Sequence, residues 1–160
     1  GTGLVVPGTG IALHNRASLF SLEPDHPNVL APGKRPFHTI IPALATRGGE
    51  LWLSFGVMGR FQQAQGHLQV LVNMVDFGLD PQAALDALRF TVRQDGTVGL
   101  EEGVPPEVPQ ELARRGHNVS VLSNYQRTAF GSGQVIQRDP ETGVLMAGSE
   151  PRKDGAAVGW

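Results

Sequence analysis

Between residues 62 and 75, the apolar residues Ala64, Leu68, Leu71, Val72 and Val75 recur at intervals of three and four, with Gln62, Gln65 and Gln69 on another face. This spacing predicts an amphipathic helix. A second, shorter helix is expected after Asp80-Pro81, where a capping aspartate precedes a proline at the first helical position and residues 83–88 continue in good helix formers. Residues 109–115 read as a third helix, stopped by Gly116 in a left-handed cap. Elsewhere the pattern is that of strands. Two short apolar runs in residues 4–13 flank Pro7-Gly8-Thr9-Gly10 and predict a hairpin, and residues 39–46 and 50–55 form a second pair around Arg47-Gly48-Gly49. Gly56-Val57-Met58-Gly59 then turns the chain out of the strand and into the long helix. Residues 118–122, 133–138 and 144–148 complete the set, while residues 21–36 are too rich in proline for regular structure. With about eight strands and three helices ordered strands, helices, strands, the expectation is a single α+β domain over 1–160, its helices covering an antiparallel sheet.

Composition supports the sheet-rich reading and removes several functions. The chain of 160 residues carries 21 glycines and 12 prolines, well above the roughly 12% usual for that pair. Thirteen Lys+Arg against fifteen Asp+Glu leave a formal charge of −2, so no basic excess exists to neutralise phosphates or an anionic lipid surface, and neither nucleic acid nor membrane is an expected partner. No apolar run reaches the roughly 18 residues of a membrane span. Zero cysteines exclude disulfides, thiolate nucleophiles and Cys-ligated metals. The N-terminus shows no signal core; the cytoplasm is the expected compartment, and any signal is expected in a portion ahead of Gly1. It also opens without a methionine, directly on strand-like Leu4-Val5-Val6, as a piece of a longer protein would, and the apolar end at Trp160 is expected to be tied down.

Chemistry must therefore come from oxygen and nitrogen. A strand, the glycine turn with Arg60, and a helix place backbone N–H groups at a helix N-terminus, the geometry that stabilises an anion or an oxyanion. Taken alone, such a turn more often serves only to reverse the chain. No phosphate-loop or dinucleotide fingerprint accompanies it. His14, His26, His38 and His67 share no metal-ligand spacing, so no metal or other cofactor is expected. Within the helix, His67 reads as hydrogen-bonded under a loop. His38 and Thr39 follow the rigid turn Pro32-Gly33-Lys34-Arg35-Pro36 and enter a strand, a position that can aim two polar side chains at a ligand. Arg16, with few acids nearby in sequence, either pairs with a distant carboxylate or offers its guanidinium fork to a substrate.

Taken together, these segments resemble the small-subunit region of the gamma-glutamyltranspeptidase family, in its non-standard branch. The resemblance rests on Gly1-Thr2-Gly3 with Pro7-Gly8-Thr9-Gly10-Ile11, Asn15 with Phe20, Ala31-Pro32-Gly33-Lys34-Arg35-Pro36, Gly56 and Gly59, Leu68 through Asn73 with Asp76-Phe77-Gly78-Leu79, Asp86 through Phe90, and Gly148-Ser149-Glu150-Pro151-Arg152. It spans nearly the whole chain. It implies an N-terminal-nucleophile hydrolase, whose αββα sandwich is shared between two subunits cut from one self-processing precursor. A threonine hydroxyl, with its own α-amino group as base, attacks an amide carbonyl. That threonine would lie about twenty residues before Gly1, so the resemblance implies either the later portion of a longer precursor or a relative without the nucleophile, and the abrupt start favours the first.

The implied oxyanion donors are Gly59 and Arg60, where the family has two glycines. The implied substrate binders are Asn15, Arg16, His38 and Thr39. The family's aspartate for the substrate α-amino group aligns with Leu19, and its serine pair for the α-carboxylate aligns with His38 and Thr39. The resemblance thus implies a small-molecule amide, gamma-glutamyl or another small acyl amide, with the large-subunit portion of the same precursor as partner and an oligomer of the processed heterodimer. A non-catalytic binding or scaffold protein that keeps the pocket is the competing class.

Overall fold

The computed structural model describes residues 1–159, which divide into two compact units, the first over 1–39 and the second from residue 40 onward; Trp160 lies outside the described residues. In the first unit the predicted hairpin forms as backbone bonds rather than regular strands. Val6 N donates to Ile11 O at 2.9 Å, Leu13 N to Leu4 O at 2.9 Å, and an isolated bridge joins Val5 to Ala12. Thr9 secures the turn, its hydroxyl donating to Val6 O at 2.9 Å. A 3₁₀ turn over Arg16–Leu19 follows, then the proline-rich loop, in which no regular element forms.

In the second unit, β1 (Ala43–Arg47), β2 (Glu50–Met58), β6 (Ser132–Arg138) and β7 (Leu145–Ser149) form an antiparallel sheet in the order β1-β2-β6-β7. Helices α1 (Gln62–Val75) and α2 (Pro81–Asp86) cover the face carrying Leu53, Phe55, Val57 and Val135, and Val70, Met74, Ala84 and Leu85 complete the core. β3 (Phe90–Val92) and β4 (Val98–Glu101) make a hairpin, and β5 (Val119–Leu122), reached through α3 (Glu107–Arg114), pairs parallel to β4. Seven strands and three α-helices are thus present among the described residues.

Several expectations change. The strand expected from residue 39 begins at Ala43, because Pro42 has no N–H to give the ladder. β2 runs three residues past its expected end: Gly56, Val57 and Met58 pair with Gln134, Gly133 and Ser132, and the turn falls on Gly59-Arg60-Phe61. The long helix has the expected bounds but buries a different stripe, Gln62, Gly66, Val70 and Met74, leaving Leu68 60% and Val75 50% exposed. Gly66 decides this. A Cβ there would lie 2.6 Å from Val57 Cγ1, so the glycine lets the helix lie directly on β2. The hairpin β3–β4 was not read from the sequence, although Asp95-Gly96 between β-branched runs is a hairpin signal.

Asp80 caps α2 as expected, Oδ1 accepting from Ala83 N at 2.8 Å with Pro81 at the first helical position. Asp80→Ala should destabilise the protein by about 1 kcal/mol, measured as a shift in the urea midpoint at unchanged slope.

Candidate active site

The turn between β2 and α1 is held from inside the chain. Gln62 N donates to Gly59 O at 3.0 Å, and Gln63 N and Nε2 donate to Arg60 O at 3.3 and 3.2 Å. Arg60 has φ +57°, a left-handed conformation that an L side chain rarely takes. Gly59 is glycine for a different reason: a Cβ on it would lie 3.0 Å from Gly131 Cα and 3.2 Å from Gln62 Cβ, so the segment after Phe130 buttresses the turn. Gly131 has φ +83°, and a Cβ there would reach 2.8 Å from Met58 O. The carbonyls of Gly59 and Arg60 are thus engaged by the chain, whereas their amides donate to no group among the described residues.

This turn lines a cleft of about 610 Å³ together with Gln62 and Gln65 of α1, Thr91 and Val92 of β3, and Arg93, Gln94 and Asp95 beyond it. β3 is fixed to α1 by side-chain amides that imitate a neighbouring strand. Gln65 Oε1 accepts from Val92 N at 2.7 Å and its Nε2 donates to Val92 O at 3.0 Å; Gln69 does the same for Phe90 at 2.9 and 3.0 Å. The glutamines predicted for a polar face therefore satisfy a sheet edge. Asp95 accepts from Thr97 N at 2.9 Å, and this bond, with the positive charge of Arg93, holds its carboxyl below the usual aspartate value.

The second unit also holds a cluster of buried charges. Glu150 Oε2 pairs with Arg89 Nη1 at 3.0 Å and accepts from Gly133 N at 2.5 Å, while Arg89 Nη1 also reaches Phe130 O at 3.2 Å. Arg152 bridges both acids, with Nη1 to Glu150 Oε1 at 2.6 Å and Nη2 to Glu101 Oε2 at 2.5 Å, and it donates to Leu85 O and Ala87 O. Arg127 adds a bond to Glu101 Oε1 at 2.7 Å. Burial would raise the Glu101 carboxyl, but the bonds from Arg152, the Arg89 amide and Arg127 outweigh it and hold it below its ordinary value. None of these residues was singled out for chemistry from the sequence, because isolated Arg and Glu default to the surface.

The remaining predicted site residues lie in the first unit. Arg16 Nη1 donates to Thr39 Oγ1, so two of the four substrate-binding candidates come together. His38 is exposed beside Thr39 in the chain. Asn15 is exposed too, its carbonyl accepting from Ser18 N at 3.1 Å and Ser18 Oγ at 2.8 Å. His67 is hydrogen-bonded within its own helix rather than under a loop: Nδ1 donates to Gln63 O at 2.5 Å, the ring lies 5.4 Å from that of Phe55 on β2, and Nε2 is buried without a hydrogen-bond partner among the described residues.

Residues 1–160 match the family model described as gamma-glutamyltranspeptidase. The chain is 38% identical to the glutathione hydrolase-like YwrD proenzyme of Bacillus subtilis, over 99% of this chain and 31% of that protein. It is 34% identical to the oxamate amidohydrolase proenzyme of Klebsiella pneumoniae, over 100% of this chain and 31% of that protein. In structure it is similar to cephalosporin acylase from Bacillus halodurans, with a TM-score of 0.91 and 53% identity over 100% of this chain and 30% of that one. The chain therefore spans under a third of the length of these relatives.

Proposed function

Because the chain belongs to the gamma-glutamyltranspeptidase family, with the N-terminal-nucleophile hydrolase fold of its structural neighbours, we propose that it is the small-subunit portion of an amide hydrolase. In this reading it binds substrate and stabilises the transition state, while a threonine outside residues 1–160 supplies the attack. The observation that carries the proposal is the Gly59–Arg60 turn, where two adjacent amides at the N-terminus of α1 have no acceptor among the described residues and border an open cleft. As the hydroxyl adds to the amide carbonyl, charge passes to its oxygen. Two preorganised N–H donors and the positive end of a 14-residue helix favour that state over the neutral carbonyl. Collapse of the tetrahedral adduct expels the amine, and water then releases the acyl group from the threonine ester.

For the acyl group we propose a small acid without an α-amino substituent. The aspartate that would hold an ammonium aligns with Leu19, and Arg16 with its Thr39 partner offers a fork suited to a carboxylate or oxo group. The relative named for oxamate, an amide acid without an α-amino group, fits this direction. The rest of the precursor is proposed to cover the outer face of the four-stranded sheet, where Leu44, Ile136 and Leu145 share one face and are exposed.

The test is steady-state kinetics of the full-length, processed protein. It should hydrolyse small acyl amides lacking an α-amino group at least as well as gamma-glutamyl amides, and Arg16→Ala should raise KM for the former by about tenfold or more. Better turnover of gamma-glutamyl amides, with KM indifferent to Arg16→Ala, would refute the substrate assignment. Absence of turnover on every amide would favour a binding protein instead. Residues 1–160 by themselves should be inactive, since oxyanion stabilisation without an attacking group leaves most of the barrier in place.

A further inference from the structure

Only Arg60 and Asn124 among the described non-glycine residues have positive φ. Asparagine tolerates this region through its short polar side chain, but arginine holds it at a cost of roughly 1–2 kcal/mol that a glycine would avoid. The backbone at position 60 does nothing that glycine could not do: its carbonyl receives Gln63 and its amide is free among the described residues. What arginine adds is the guanidinium. That side chain is exposed on the wall of the 610 Å³ cleft and makes no hydrogen bond or ion pair among the described residues. Other arginines are committed: Arg89, Arg127 and Arg152 to buried acids, Arg114 and Arg115 to Glu111, and Arg47 to the face of Trp52 at 3.7 Å. Within the cleft, Asp95 is already engaged by Thr97 N and balanced by Arg93. Arg60 is therefore an uncompensated cation attached to the same residue as a candidate oxyanion donor.

We propose that the Arg60 guanidinium binds a carboxylate on the leaving-amine half of the substrate. This rests on the amide-hydrolase reading, in which an acid on the acyl half is already assigned to Arg16. The planar fork takes a carboxylate in two parallel bonds, and the carboxylate must lie within one arginine side chain of the reacting carbonyl. Arg93, on the facing strand end, adds a weaker attraction because Asp95 offsets it.

The experiment compares two amides with one acyl group, N-glutaryl-4-aminobenzoate and N-glutarylaniline, on full-length processed protein. The wild type should prefer the aminobenzoate by at least about tenfold in kcat/KM. Arg60→Gly, which keeps the N–H and relieves the backbone, should reduce that ratio to near one, and Arg93→Gln should reduce it less. Added salt should erode the ratio in the wild type and leave it flat in Arg60→Gly. A ratio unmoved by Arg60→Gly, or one that follows Arg93→Gln instead, overturns the proposal. If neither amide is hydrolysed by folded wild type, the hydrolase reading fails separately. Calorimetric binding of 4-acetamidobenzoate against acetanilide then still reports on Arg60: equal affinity of wild type and Arg60→Gly for 4-acetamidobenzoate counts against it.

Discussion

Replacing Arg152 with alanine should lower the thermal midpoint of the protein by roughly 10 °C, corresponding to about 3–5 kcal/mol lost. The side chain is 1% exposed and bonds to both buried carboxylates and to two backbone carbonyls at the end of α2. Its removal leaves Glu101 and Glu150 to share Arg89 and the half-exposed Arg127, in a region water does not reach. The exposed pair between Arg114 and Glu111 is the comparison: Arg114→Ala should barely move the midpoint. A midpoint that shifts no further in Arg152→Ala than in Arg114→Ala would dispose of this account. The acid limb provides a second check. Because the Glu101 carboxyl lies below its ordinary value in the folded protein, it stabilises the fold at every pH above the ordinary carboxylate range. That contribution disappears as pH falls through the depressed folded value. The gap between wild type and Arg152→Ala should therefore be full near neutrality and shrink in acid.

Gly59→Ala should lower kcat of the full-length enzyme about a hundredfold with little change in KM. The added methyl meets Gly131 Cα at 3.0 Å, and that partner is backbone whose own position is set by Gly133 N on Glu150 and Phe130 O on Arg89. The turn must then move, carrying the two amides off the developing oxyanion, while groups that bind the ground state are untouched. Gly56→Ala is the control three residues earlier, because a Cβ there meets only His67 Nε2, at an ordinary 3.8 Å. Equal kcat for Gly59→Ala and wild type would remove the turn from the mechanism.

The elements that local chemistry dictates were legible in the sequence. Asp80-Pro81 announces α2, Gly116 ends α3, and the bounds of α1 follow from its periodicity. Which face of α1 is buried was not legible, because the contact is made by the absence of a side chain at Gly66, and a hydrophobic pattern counts only what is present. The charge cluster was invisible for a related reason: Arg89, Glu101, Glu150 and Arg152 are scattered over some sixty positions, and only tertiary structure brings them together. In the candidate site, the strand–turn–helix order pointed to the glycine turn as a whole, and only the family resemblance narrowed it to Gly59 and Arg60. The wall opposite them, Thr91 to Asp95, was missed with the hairpin that carries it. The backbone of Arg60 shows the limit clearly, since nothing in the string of residues marks an arginine that must sit where a glycine would be at ease.

The cluster around Arg152 also constrains how the protein is made. Translation delivers Glu101 to the growing chain some fifty residues before Arg152, so the acid waits without its main counter-ion while β4 and β5 are already available to pair. A carboxylate cannot be sealed from water under those conditions except at a severe penalty. The second unit is therefore expected to reach its full stability only once its last strand and the arginine just past it have been made, because until then Glu101 has only Arg127 and the Arg89 amide to hold it.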